Sequence, residues 1–110
     1  MSMTYDEIYA MISGIGYPAA YYQFPETSQA PPFICFYFPT SDDFIADGEN
    51  YLKKEVLYIE LYTREKSFET EKRVEAALRA NGFVYTRTET YLDTEKMFME
   101  LYTMEVYINV

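Results

Sequence analysis

The sequence predicts an α+β fold: a single mixed β-sheet of about four to five strands with two helices on one face, in the order α-β-β-β-α-β-β. Three observations predict it. Two segments carry a helix cap followed by apolar residues at helical spacing. The remaining apolar residues alternate in short runs bounded by Pro, Gly, Asn or Asp. The roughly 20 residues between the third and fourth strands hold a helix, enough for a right-handed parallel crossover, while hairpins leave the rest antiparallel. A chain of 110 residues suits one domain, 1–110.

The elements follow in order. Thr4 and Glu7 have capping-box spacing, and Ile8, Met11, Ile12 and Ile15 then mark one buried helical face. Gly14 and Gly16 stop that helix, with Pro18 beyond. A short strand over Ala19 to Phe24 ends at Pro25, and Glu26 to Pro32 reads as a loop. Phe33 to Phe38 is a strand apolar on both faces, hence central or covered on both sides. Thr40 to Asn50 is polar apart from Phe44-Ile45-Ala46 and reads as a loop with a turn at Asp47-Gly48.

Lys53 to Thr63 is a long strand with Leu57, Ile59 and Leu61 as its core face; Val56, Tyr58, Glu60 and Tyr62 take the other. Ser67 caps the second helix, where Val74, Ala77 and Leu78 form the buried stripe. Glu69 pairs with Arg73, and Glu75 with Arg79, on its outer side, and Asn81-Gly82 ends it. Phe83 to Leu92 and Met97 to Ile108 form a final hairpin turned at Asp93 to Lys96. Met97, Met99 and Leu101 fall out of phase with Met104, Val106 and Ile108, which predicts either a bulge near Tyr102–Thr103 or a strand covered on both faces. Glu60-Leu61-Tyr62-Thr63 recurs as Glu100 to Thr103, without the regular offset of an internal duplication.

Composition removes several function classes. Nine Lys+Arg against 18 Asp+Glu give a net charge of −9, which argues against a free-standing binder of DNA, RNA or anionic membrane. With no His and one Cys there is no His-based triad, no His–metal site and no internal disulfide. Cys35 lies in an apolar strand without an activating base and is expected to be buried and inert. Met1 to Glu7 lacks the features of a signal peptide, and the longest apolar run, Pro31 to Pro39, is short of the roughly 20 residues of a membrane span. Gly14-Ile15-Gly16 follows a helix instead of opening one, so it is no phosphate cradle. No catalytic, cofactor or metal residues are predicted.

Four features remain. Asp42, Asp43, Asp47 and Glu49 suggest Ca²⁺, but a binding loop starting at Asp43 would put Ile45 and Lys54 where oxygen ligands belong, so a solvated acidic loop is expected. Glu60 and Glu100 lie within strands; they are expected to face water, the alternative being a covered position with a raised pKa. Thirteen Tyr and eight Phe supply apolar area with polar tips, suited to core and subunit contacts. The Phe44-Ile45-Ala46 triplet needs cover, from its own domain or from a neighbouring subunit. Asp42, Asp43, Phe44, Ile45 and Asp47 are therefore the candidate subunit or partner contacts.

Pro31 to Tyr37, Ser41 to Asp47, Ile59 to Thr63, the helix Glu69 to Ala80 and Glu89 to Lys96 together resemble the tail-terminator, or tail-completion, proteins of long-tailed bacteriophages and prophages of Gram-positive bacteria, across about residues 4 to 108. The resemblance implies a small α+β subunit with no catalytic function that forms a ring, commonly a hexamer, on the head-proximal end of the tail tube. Its partners would be copies of itself, the tail-tube protein and head-side connector proteins. It would reside in the virion and, during assembly, in the host cytoplasm. Another neck or connector protein, such as an adaptor or stopper, and an acidic prophage DNA mimic are the alternatives.

Overall fold

A computed structural model of the chain describes residues 2–24, 29–47 and 50–109, with side chains described outside 43–52. The elements run β1 (Ser2–Met3), α1 (Tyr5–Ser13), β2 (Ala19–Tyr21), β3 (Phe33–Asp47), β4 (Asn50–Thr63), α2 (Phe68–Ala80), β5 (Tyr85–Leu92) and β6 (Met97–Asn109). The class is α+β as expected, with the two-residue β1 added ahead of the first helix.

One six-stranded sheet runs β1-β6-β4-β3-β2, with β5 also paired to β6. β5 takes residues 97–104 of β6 and β1 takes 107–108, so these two strands share one edge of β6 while β4 occupies the other. β4 and β5 both run antiparallel to β6. The β4–α2–β5 connection is therefore a parallel crossover with β6 between its two strands.

The helices form for the local reasons their ends display. Thr4 Oγ1 accepts from the Glu7 amide at 3.1 Å and Glu7 Oε1 accepts from the Thr4 amide at 2.8 Å, closing both bonds of the capping box. Ser67 Oγ accepts from the Thr70 amide at 3.2 Å, and Gly82 takes a φ of 78° just past α2. Both helices bury their stripes on the same sheet face. Ile8, Ile12, Val74 and Leu78 join Ile34, Leu57, Ile59, Leu61 and Ile108 in one core cluster with no exposed surface. Arg73 lies over the Tyr17 ring, 5.2 Å from its centroid, instead of pairing with Glu69 as expected; Glu75 and Arg79 do pair, at 3.9 Å.

One expectation is corrected and one choice between alternatives is decided. Residues 40–47 are not a loop: β3 continues to Asp47 and β4 begins at Asn50, with the turn itself outside the described residues. The strand survives its polar composition because register sets acids beside lysines, Asp42 opposite Lys54 and Asp43 opposite Lys53. The register shift between Tyr37 and Thr40 accommodates Pro39, which has no amide to give a ladder. Of the two alternatives for the out-of-phase apolar sets of β6, the bulge near Tyr102–Thr103 is not the one found. β6 stays in continuous register with β4 from Phe98 to Asn109 and with β5 from Met97 to Met104. Tyr102, Met104, Val106 and Ile108 face the helices, whereas Met97, Met99 and Leu101 lie half-buried on the opposite, open face.

Candidate functional site

The long β3–β4 hairpin sets the molecule's shape. Fifteen residues of β3 at about 3.3 Å each match the 50 Å long axis of a body otherwise 27 × 22 Å. β2 pairs only with Ile34 to Phe36, so among the described residues the outer edge of β3 from Thr40 onward has no strand beside it. All five sequence-predicted contact residues, Asp42, Asp43, Phe44, Ile45 and Asp47, lie on this edge strand. Asp42 is exposed; the side chains of Asp43, Phe44, Ile45 and Asp47 lie outside the described residues, as does Glu49.

At the other end of β3 the edge is aromatic. Tyr21 packs edge-on against Phe36 with centroids 5.4 Å apart, and Tyr9 meets the same ring at 5.5 Å. Tyr5 meets Phe38 at 5.3 Å and donates to Glu55 Oε2 at 2.5 Å. These rings line a cavity of about 450 Å3, yet Tyr9 and Tyr21 keep 48% and 51% of their surface exposed. Tyr22, in the left-handed region at φ 67°, turns to the opposite sheet face and meets Tyr37 at 5.3 Å.

A charged cluster lies under the N-terminal half of α2. Glu89 and Glu100 are direct cross-strand partners, and Glu71 reaches them from the helix. Lys66 Nζ sits 2.6 Å from Glu71 and 2.5 Å from Glu89, and Arg87 donates to Glu100 Oε1. Glu100 has no exposed surface, and its Oε2 has no hydrogen-bond partner, the nearest cation being Lys66 at 3.7 Å. Burial first, and the hydrogen bond shared with Glu89 second, push its pKa up to about 7. The expectation that Glu100 faces water is thus overturned: it takes the core phase of β6. The three carboxylates lie within 4.8 Å of one another, but Lys66 already supplies the cation between them, and a metal would have to displace it.

Glu60 does lie on the helix-free face, partly exposed, and accepts from Tyr62 at 2.7 Å and Tyr37 at 3.4 Å. Burial pushes the neighbouring Cys35 thiol up to about 11, helped by the Glu60 charge, and Cys35 is buried as expected. The alternation groups Tyr58, Glu60 and Tyr62 on one face, but of these two phenols only Tyr62 donates to the carboxylate; the second donor, Tyr37, comes from the neighbouring strand β3, and nothing in the sequence signals it. Glu71 stands in the first turn of α2, and nothing in its spacing marks it as buried.

No family model and no curated protein matches the chain. Among solved structures it is similar to a chain from the virion of a native gene transfer agent particle, at a TM-score of 0.60 and 14% identity, over 96% of this chain and 91% of that one. At that identity the likeness shows a shared fold. Among the described residues no helix is long and apolar enough to cross a membrane.

Proposed function

We propose that this chain is a structural, non-catalytic component of a phage-like virion: a tail terminator that closes the tail tube as a ring of its own copies and presents a surface to the head. The observation that carries the reading is the pair of unlike patches at the two ends of the outer edge of β3. A ring needs two different patches that fit each other across every contact. The aromatic edge around Tyr5, Tyr9 and Tyr21 is one, and the strand edge bearing Asp42, Asp43, Phe44, Ile45 and Asp47, which has no neighbouring strand among the described residues, is the other. The fold shared with a virion chain along nearly the whole length of both supports it. A net charge of −9 also suits a conduit that DNA must pass without sticking. The tail-tube protein and head-side connectors are its further partners, and the virion is its location.

Native mass spectrometry and negative-stain imaging across concentration, with and without tail tubes, test the reading. Closed rings with a central hole are expected; a strict monomer in the presence of tubes overturns it. Phe44→Asp is expected to weaken ring formation more than it lowers Tm, and an equal loss of folding stability would assign the side chain to its own domain. Incorporation as an adaptor or stopper would favour another neck protein, and inhibition of a DNA-binding enzyme would favour the DNA mimic.

A further inference from the structure

The helix-free sheet face carries a cavity of about 500 Å3, within the size range of sites that take a small ligand or one large side chain. Its floor is Glu60, set between Cys35 on β3 and Leu101 on β6, so the carboxylate sits among mostly apolar neighbours. Its walls are aromatic. Phe33 stacks on Tyr62 at 4.8 Å and 19°, Phe24 meets Phe33 edge-on at 5.5 Å, and Tyr22 meets Tyr37 edge-on at 5.3 Å. Glu95 adds a second carboxylate at the rim.

The chemistry of this cavity is one-sided. Among the described residues, two carboxylates and five aromatic rings line it, and no Lys or Arg does. Among the described residues no Lys or Arg pairs with Glu60. Two of the buried carboxylates are handled differently: Glu71 and Glu100 have Lys66 and Arg87 beside them, whereas Glu55, like Glu60, accepts from a tyrosine hydroxyl. An ionised carboxylate offers about four acceptor positions, and the Tyr37 and Tyr62 hydroxyls take two. Those phenols fix the group without neutralising it. A carboxylate held by hydroxyl donors inside an aromatic wall is complementary to a cation that can both hydrogen-bond and lie against a ring.

We propose that this cavity is a binding site for an arginine side chain presented by a basic segment of a different protein. Guanidinium fits better than ammonium because it is planar, stacks on ring faces and meets a carboxylate with two parallel bonds. A second copy of this chain is the poorer donor, since each copy brings 18 acidic residues against 9 basic ones. The site lies on the open sheet face, away from the strand edge assigned to ring contacts, and does not depend on ring formation.

The test is an NMR titration of the isotope-labelled full chain with the peptide acetyl-Gly-Arg-Gly-amide, against the same peptide carrying citrulline, its neutral isostere. Saturable shifts confined to the residues around Tyr22, Phe33, Tyr37, Glu60 and Tyr62 are expected. Citrulline should bind at least about tenfold more weakly, as should Glu60→Gln, whose amide oxygen accepts from one tyrosine and whose NH2 can donate to the other hydroxyl, but which loses the charge. Tyr22→Ala, at a ring that is 60% exposed, removes a wall without touching the core and should also weaken binding. Equal binding of citrulline, unchanged binding by Glu60→Gln, or shifts spread over the whole acidic surface would overturn the proposal. So would concentration-dependent shifts at the same residues without peptide, which would make a second copy the occupant. Arginine binding without rings would sink only the terminator reading, and rings without arginine binding only this one.

Discussion

Glu89 and Glu100 stand directly opposite each other across the β5–β6 ladder, two like charges where a sheet usually pairs opposite ones. The arrangement holds because Lys66 bridges Glu89 to Glu71, Arg87 donates to Glu100, and Glu100 keeps a proton well above the ordinary carboxylate range. Because the ordinary value is 4.5 and the folded value about 7, the folded form binds the extra proton between those limits. Stability from this group is fully present below about 4.5 and is lost as pH rises to about 7.

Glu100→Gln removes that titration. The wild type should lose roughly 1–2 kcal/mol of unfolding free energy between pH 5 and 7.5, a figure reduced for the water that reaches Lys66 and Glu89. The variant should lose much less over the same interval. Urea melts at half-unit pH steps check it, and parallel curves for the two proteins would refute the assignment.

Arg87→Met leaves Glu100 with its nearest cation at 3.7 Å. At pH 8, where Glu100 is ionised, the expected cost is about 3 kcal/mol, as for other buried pairs broken from one side. At pH 5 the carboxyl is protonated and the cost should be smaller by more than half. A cost independent of pH, measured by denaturant titration, would mean that Arg87 contributes packing alone.

Gly16 has a φ of 110°, and a Cβ there would come within 2.6 Å of Arg73 Nη2. The guanidinium can move, but the backbone cannot without shifting the turn that follows α1. Gly16→Ala should therefore cost about 1–2 kcal/mol and loosen Arg73 from the Tyr17 ring. Thermal melts give the first quantity, and the Tyr17 ring shifts in NMR give the second.

How much was legible depended on where the information lay. The helices were readable because their signals are local: Thr4 with Glu7, Ser67, and apolar residues one turn apart. The core face of β4 was readable because Leu57, Ile59 and Leu61 alternate with more polar neighbours. The recurring Glu-Leu-Tyr-Thr segment marks the limit. In β4 its Leu61 is buried and Glu60 lies on the open face; in β6 Glu100 and Tyr102 are buried and Leu101 lies on the open face. The strands are antiparallel neighbours with Glu60 opposite Leu101 and Leu61 opposite Glu100, so one tetrapeptide is used in both phases. Only tertiary partners, Arg87 above all, decide which glutamate goes inside. The hairpin was missed for a related reason, since an acidic stretch looks like a loop until its lysine-bearing partner strand is known.

The register shift at Pro39 draws a boundary across the open face. Before it Phe33, Cys35 and Tyr37 stand in line with Tyr62, Glu60 and Tyr58; after it the positions opposite Val56 and Lys54 fall to Thr40 and Asp42. The same surface is greasy on one side of the proline and wet on the other. The one extra residue beside the proline is what brings Thr40 and Asp42 into file with Tyr37 on that surface.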